Sequence, residues 1–177
     1  MRAALALLLG LAACATADPA ADHLGGHGDP VRGAALAAPS LFAGTAALAG
    51  QPARAALAAV QMEVIADAFR SDPRWQHEVT LPGWHATGVA RAALREAIGI
   101  APDAPTDLVV MALRDAAAAL DAGRVTRAEA ALTGPAFLLP GDQVLARLAR
   151  LPPLPRVAEG AAAAAAEIRR RDLRRRA

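Results

Sequence analysis

Residues 52–71 read PARAALAAVQMEVIADAFRS, and this stretch decides the fold. Leu57, Val60, Val64, Ile65 and Ala68 recur at intervals of three and four, which puts them on one side of an α-helix. Arg54, Glu63, Asp67 and Arg70 lie largely away from that stripe. The pattern predicts a helix with one face in a core and the other in water. Pro52 suits the first turn, where a missing N–H costs no hydrogen bond, and Ser71-Asp72-Pro73 ends the periodicity.

The same grammar repeats downstream. A helix is expected from about Trp84 to Ile98, with Gly99 as its left-handed cap. Asp103 is placed to cap the next helix, with Pro105 in its first turn and Leu108, Ala112, Leu113, Ala116 and Leu120 on one face. Thr126-Arg127-Ala128-Glu129 fits a capping box for a short helix stopped by Gly134-Pro135. Gly141 or Asp142 starts a helix through Leu148, Leu151 to Pro155 is a proline break, and a last helix runs from about Val157 to Leu173. No strand-length alternation of β-branched residues occurs, so the expected fold is all-α, a small bundle of about five to six helices with short loops.

Upstream, Ser40 is placed to cap a short helix through Ala49. The stretch from Ala15 to about Pro39 is rich in Ala, Gly, Asp and Pro without a sustained apolar period, and it reads as a flexible tether. Met1-Arg2 followed by an uncharged run from Ala3 to Ala13 has the layout of a secretory signal. The run is too short for the ~20 apolar residues that span a bilayer. Leu11-Ala12-Ala13-Cys14 resembles the lipobox of bacterial lipoproteins. That resemblance implies cleavage before Cys14, diacylglycerol on its sulfur and acylation of the new N-terminus. Two other readings stay open: ordinary cleavage after Ala15-Thr16-Ala17, releasing a soluble periplasmic protein, or an uncleaved segment in which Cys14 is a small hydrophobe. A single cysteine has no partner for an internal disulfide, which an acyl anchor explains directly. The chain thus divides into a signal peptide (1–13), a lipid-anchored tether (14–39), a helical domain (40–155) and a C-terminal Ala/Arg-rich helix (156–177).

Asp72-Pro73-Arg74-Trp75 and Gly99-Ile100-Ala101-Pro102-Asp103-Ala104-Pro105 look similar to segments of exported alphaproteobacterial proteins of unknown function. That resemblance implies an envelope setting and no activity. Ala15 follows the cysteine in place of the Asp that retains many enteric lipoproteins at the inner membrane, so by resemblance the outer membrane is favoured.

Composition limits the core. Hydrophobic residues make up 55% of the chain, yet much of this is alanine, with only two Trp, three Phe and no Tyr. Alanine supplies helix propensity more than buried volume. Charge is uneven: Cys14 to Pro155 sets 11 arginines against 14 acids, whereas Arg156 to Ala177 sets seven against three. The tail residues Arg169, Arg170, Arg171, Arg174, Arg175 and Arg176 can meet an anionic surface, or simply solvate a helix end and complement its dipole. Nucleic acid is the wrong partner for an exported chain, and no aromatic residue follows Phe137 to stack on bases.

Trp75, His77, Trp84 and His85 form the only aromatic and imidazole-bearing region of the domain and suit a small-ligand or metal pocket. The competing reading is that the tryptophans cover the end of the core while the histidines stay in water. His23 and His27 lie in the glycine-rich tether, where an unorganised pair makes no site. Asp121 to Glu129 echoes half of a calcium loop, but Ala118, Leu120 and Ala122 stand where oxygen ligands are needed. Asp103 and Asp107 are explained by a helix start. No nucleophile elbow, phosphate-binding loop or Cys–His pair is present, and no cofactor is implied. The sequence therefore points to a non-enzymatic, lipid-anchored envelope protein with a binding or structural role, its partner an envelope protein or an anionic surface, and it specifies no activity beyond that. The alternative is a periplasm-facing lipoprotein that takes a small ligand or metal in the Trp75–His85 region.

Overall fold

The computed structural model describes residues 29–177. The signal segment, Cys14, His23, His27 and most of the expected tether lie outside the described residues. In chain order the elements are α1 (Pro30–Phe42), a 3₁₀ turn (Thr45–Leu48), α2 (Pro52–Ser71), α3 (Pro73–Gln76), α4 (Leu81–Ile98), α5 (Thr106–Asp121), α6 (Val125–Ala131), α7 (Gly141–Ala149) and α8 (Pro155–Arg174). The fold is all-α. Among the described residues, β-type pairing is confined to an isolated antiparallel bridge between Ile100 and Phe137.

α2 is the central element, packed against α1, α4, α5 and α7. Its expected wet face is largely buried: Ala55, Ala59, Met62, Ala66 and Phe69 are in the core along with Val60 and Ile65. Alanine explains the difference. It scores as neutral in a periodicity reading, yet it lets neighbouring helices approach from several directions at once.

The chain enters this core earlier than the sequence suggests. α1 begins at Pro30, inside the stretch expected to be tether, and buries Val31, Ala34, Ala35, Ala38 and Phe42. Asp29 caps it, accepting hydrogen bonds from the backbone N–H groups of Val31 and Arg32 at 3.1 and 3.3 Å. Pro39 lies inside the helix, and the Ser40 hydroxyl donates to the Ala37 carbonyl at 2.7 Å instead of capping a later helix. The expected helix from Ser40 to Ala49 is replaced by the end of α1 and the 3₁₀ turn. The apolar stripe of α1 is made mostly of alanine, which is why composition hides it.

Other boundaries shift for local reasons. α4 starts three residues before Trp84, because the Thr80 hydroxyl accepts from the Gly83 N–H at 3.2 Å and Pro82 fits the first turn. Gly99 does cap α4 in the left-handed region, with φ of 93°. Asp103 does not cap α5; Pro105 occupies that position without a side-chain bond. Thr126 lies within α6, so the expected capping box does not form.

α8 belongs to the same core and is not an appendage. Val157, Gly160, Ala161, Ala164, Ala165 and Ile168 form its buried stripe, and α4 with α8 makes the most extensive helix pair, followed by α2 with α5 and α1 with α8. The close approach depends on Gly160, where a Cβ would stand 2.3 Å from the Ala90 Cβ and 2.8 Å from the Ala86 carbonyl oxygen. No helix among the described residues is long and apolar enough to cross a membrane.

Replacing Gly160 with Ala raises helix propensity by up to about 1 kcal/mol at an open site. Here the new methyl must push α4 and α8 apart, so urea unfolding of Gly160→Ala is expected to show a loss of about 1–3 kcal/mol. An unchanged or raised stability would mean that this helix pair is not close-packed at Gly160.

Candidate functional site

The most deeply buried charges are Glu63 of α2 and Arg95 of α4. Their side chains are 2% and 5% exposed. The guanidinium meets the carboxylate in a two-pronged contact, Nε to Oε1 at 2.7 Å and Nη2 to Oε2 at 2.6 Å. Its remaining nitrogen, Nη1, donates to the carbonyls of Ala101, Pro102 and Ala104 at 3.2, 2.9 and 2.9 Å. A single arginine thus neutralises a buried acid and organises the connection between α4 and α5. The sequence reading placed Glu63 off the apolar stripe and did not single out Arg95. An acid 32 positions before an arginine carries no local signal that the two will meet.

That connection forms one wall of a groove of about 490 Å³. Arg91, Ala92 and Glu96 line it from α4, Ile100 and Pro102 from the connection, and Leu138, Leu139 and Arg147 from the opposite side. Leu139 packs against Gly99 so closely that a Cβ there would be 2.7 Å from its Cδ1. The Leu138 N–H donates to the Gly99 carbonyl at 2.8 Å, which fixes the far wall, while the Leu138 side chain remains 66% exposed. Arg147 Nη1 donates to the last carbonyls of α4, those of Glu96 and Ala97, at 3.3 and 3.5 Å. These are among the acceptors a helix C-terminus leaves without intrahelical partners.

Arg91 stands between this groove and a smaller polar depression of about 360 Å³, where Asp67, Arg70, Asp103, Thr106 and Asp107 also lie. Its side chain is only 17% exposed, yet its sole ionic partner is Asp67 at 3.9 Å, and it makes no hydrogen bond among the described residues. Burial, reinforced by the charges of Arg95 and Arg70, pulls its pKa below the usual guanidinium value, against the opposing pull of Glu63 and Asp67.

The two regions singled out in the sequence come together at the other end of the molecule. Trp75 of α3 is buried against Phe69, with ring centroids 6.0 Å apart. The Arg171 guanidinium lies over the indole at 4.1 Å, a cation–π contact, and also pairs with Glu78. Glu167 accepts from the Thr80 hydroxyl and from Arg170, and Arg170 also donates to the Glu78 carbonyl. Arg174 reaches the same carbonyl at 3.1 Å, and Arg175 the Glu78 carboxylate at 3.5 Å. Four of the six arginines of the run, Arg170, Arg171, Arg174 and Arg175, therefore fasten α8 to the α3–α4 connection. Arg169 and Arg176 make no side-chain hydrogen bond or ion pair among the described residues and are exposed.

His77 and His85 are exposed, and Trp84 is half-exposed on α4. Trp75 is buried, and its indole N–H has no acceptor among the described residues. Among the described residues, no group of three or more His, Cys, Asp or Glu is arranged to hold a metal ion.

Two predictions follow from these pairs. Arg95→Ala leaves Glu63 buried without a counter-charge and the Pro102 and Ala104 carbonyls without a donor, so chemical denaturation is expected to show a loss of about 3–5 kcal/mol; a loss under about 1 kcal/mol would mean water or another cation takes over. Hydrogen bonding to Arg171 holds Glu78 below the ordinary carboxylate range. Burial pushes Glu167 up, but its bonds from Thr80 and Arg170 outweigh this and hold it down as well. The stabilisation from such depressed groups is complete above the ordinary glutamate pKa of about 4.3 and is lost as pH falls through the lowered folded-state value. The urea midpoint should hold steady from about pH 7 to 5 and drop below about pH 4, with a shallower drop in Glu78→Gln; identical acid profiles would remove Glu78 from the account. No protein-family model, curated protein or solved structure matches this chain.

Proposed function

We propose that this chain is a lipid-anchored protein of the cell envelope, acylated on Cys14 and facing the periplasm, whose helical domain has a non-enzymatic binding role. One observation carries the reading. Asp29 lies 3.9 Å from Arg171, and Arg32, in the first turn of α1, is paired with Asp172 at 2.7 Å, so the first described residues sit against the arginine end of α8.

Cys14 precedes Asp29 by fifteen residues, a span of at most about 50 Å when fully extended. A lipid on Cys14 keeps the arginine end within that reach of a bilayer. The several acyl chains of such an anchor hold a protein stably, and a basic patch adds a second, electrostatic signal toward anionic lipid. The lipobox resemblance of Leu11 to Cys14 supplies the first signal, and Arg169, Arg174, Arg175 and Arg176, all exposed, supply the second. The residue after the cysteine, Ala15, favours the outer membrane by the same resemblance.

Expressed in a bacterial host, the wild type should carry diacylglyceryl mass and stay with membranes, and Cys14→Ser should do neither. Soluble forms of both beginning at Asp18 would replace the anchor with ordinary export. In the non-acylated background, Arg169→Gln/Arg176→Gln is expected to weaken binding to vesicles of anionic lipid by at least about fivefold, at ~1 kcal/mol per basic residue. Equal binding would leave the charge with a solvating role alone.

A further inference from the structure

From the groove between α4 and α7 we infer a binding site for a single-chain amphiphile with a carboxylate head, the head held by Arg91 and the chain laid along Leu138 and Leu139. The inference rests on reading the domain as a binding module and is independent of the anchor at Cys14.

Three features of the groove specify this occupant. Its volume of about 490 Å³ falls in the range of small-molecule sites, roughly 300–1,000 Å³. Its walls are apolar where Ala92, Ile100, Leu138 and Leu139 meet it, and Leu138 stays exposed although its backbone is fixed to Gly99. An exposed side chain on a fixed backbone is a ready-made contact for an alkyl chain. Finally, the charge is specific. Arg95 is neutralised by Glu63, so the groove's own lining carries Arg91 and Arg147 against Glu96, one positive charge in excess, with Asp67 of the adjoining depression 3.9 Å from Arg91; a monovalent anion fits that lining.

Arg91 is the decisive group. A guanidinium with most of its surface buried, a single ionic partner at 3.9 Å and no hydrogen bond among the described residues gives up hydration and recovers little of it. A carboxylate accepts two parallel N–H groups from such a fork and restores what burial removed. Arg147 is partly committed to the end of α4, which leaves it as a rim charge for steering.

Calorimetry on the full-length Cys14→Ser protein, which carries no acyl chain of its own, tests the site with decanoate, decanol and acetate. Decanoate should bind one to one, and decanol and acetate each at least tenfold more weakly, since one lacks the charge and the other the chain. Arg91→Met should weaken decanoate at least tenfold without lowering Tm, because the side chain it removes is poorly partnered. Leu138→Asp alters an exposed side chain, should keep the wild-type Tm, and should weaken decanoate to the same degree even if Arg91→Met is poorly folded. Decanol or acetate binding as tightly as decanoate, either well-folded variant binding like the wild type, or no decanoate binding at all would overturn the site. Any of those results leaves the intact-mass test of the anchor untouched.

Discussion

The contact between Glu63 and Arg95 sets the layout of the domain around it. Taking two charges out of water is costly, and the cost is recovered only when geometry is good and every remaining donor and acceptor is satisfied. Here the two side chains meet in register and the third arm of the guanidinium gathers the carbonyls of Ala101, Pro102 and Ala104. The path from Gly99 to Pro105 is therefore prescribed by a side chain from inside the core. That path is in turn one wall of the groove and one edge of the polar depression beside Arg91. The buried pair is thus what turns a helix connection into a concave surface.

Around this centre, small residues do what large ones do in other cores. Ala34, Ala35 and Ala38 of α1, Ala161, Ala164 and Ala165 of α8, and Gly160 let three helices lie close together with little side-chain volume between them. Each alanine contributes little by area, at about 25 cal/mol per Å² buried, so fixed geometry has to come from polar contacts at the ends. Arg171 over Trp75, Glu78 against the arginines of α8, and Arg32 with Asp172 provide it. Residues far apart in the chain are joined at one end of the molecule, where α1 starts and α8 finishes. The membrane-facing orientation proposed for this end depends on that closure.

The sequence made the helical class legible because period and punctuation agree: Pro52, Gly99, Gly134-Pro135 and the break from Leu151 to Pro155 fall between elements or at their ends. It concealed α1, whose buried face is mostly alanine and whose Gly33 and Pro39 look like loop residues. It also presented Glu63 as a surface charge, because an acid beside a stripe is ordinarily solvated, and only its distant partner alters that. Trp75 and the arginine run were each visible as unusual segments. Their union was not, since 96 positions separate Trp75 from Arg171 and nothing local couples them. The groove could not be read at all, for its walls come from three separate stretches of chain and its most telling residue, Arg91, is one arginine among nineteen.

A double-mutant cycle on Glu63→Gln and Arg95→Gln, measured by urea unfolding, addresses the central constraint most directly. If the pair organises the domain, the coupling energy should be large, about 2–3 kcal/mol, with the double variant less damaged than the sum of the singles. Additivity to within about 0.5 kcal/mol would contradict the account, because the two side chains would then act independently and the path from Gly99 to Pro105 would owe its shape to something else.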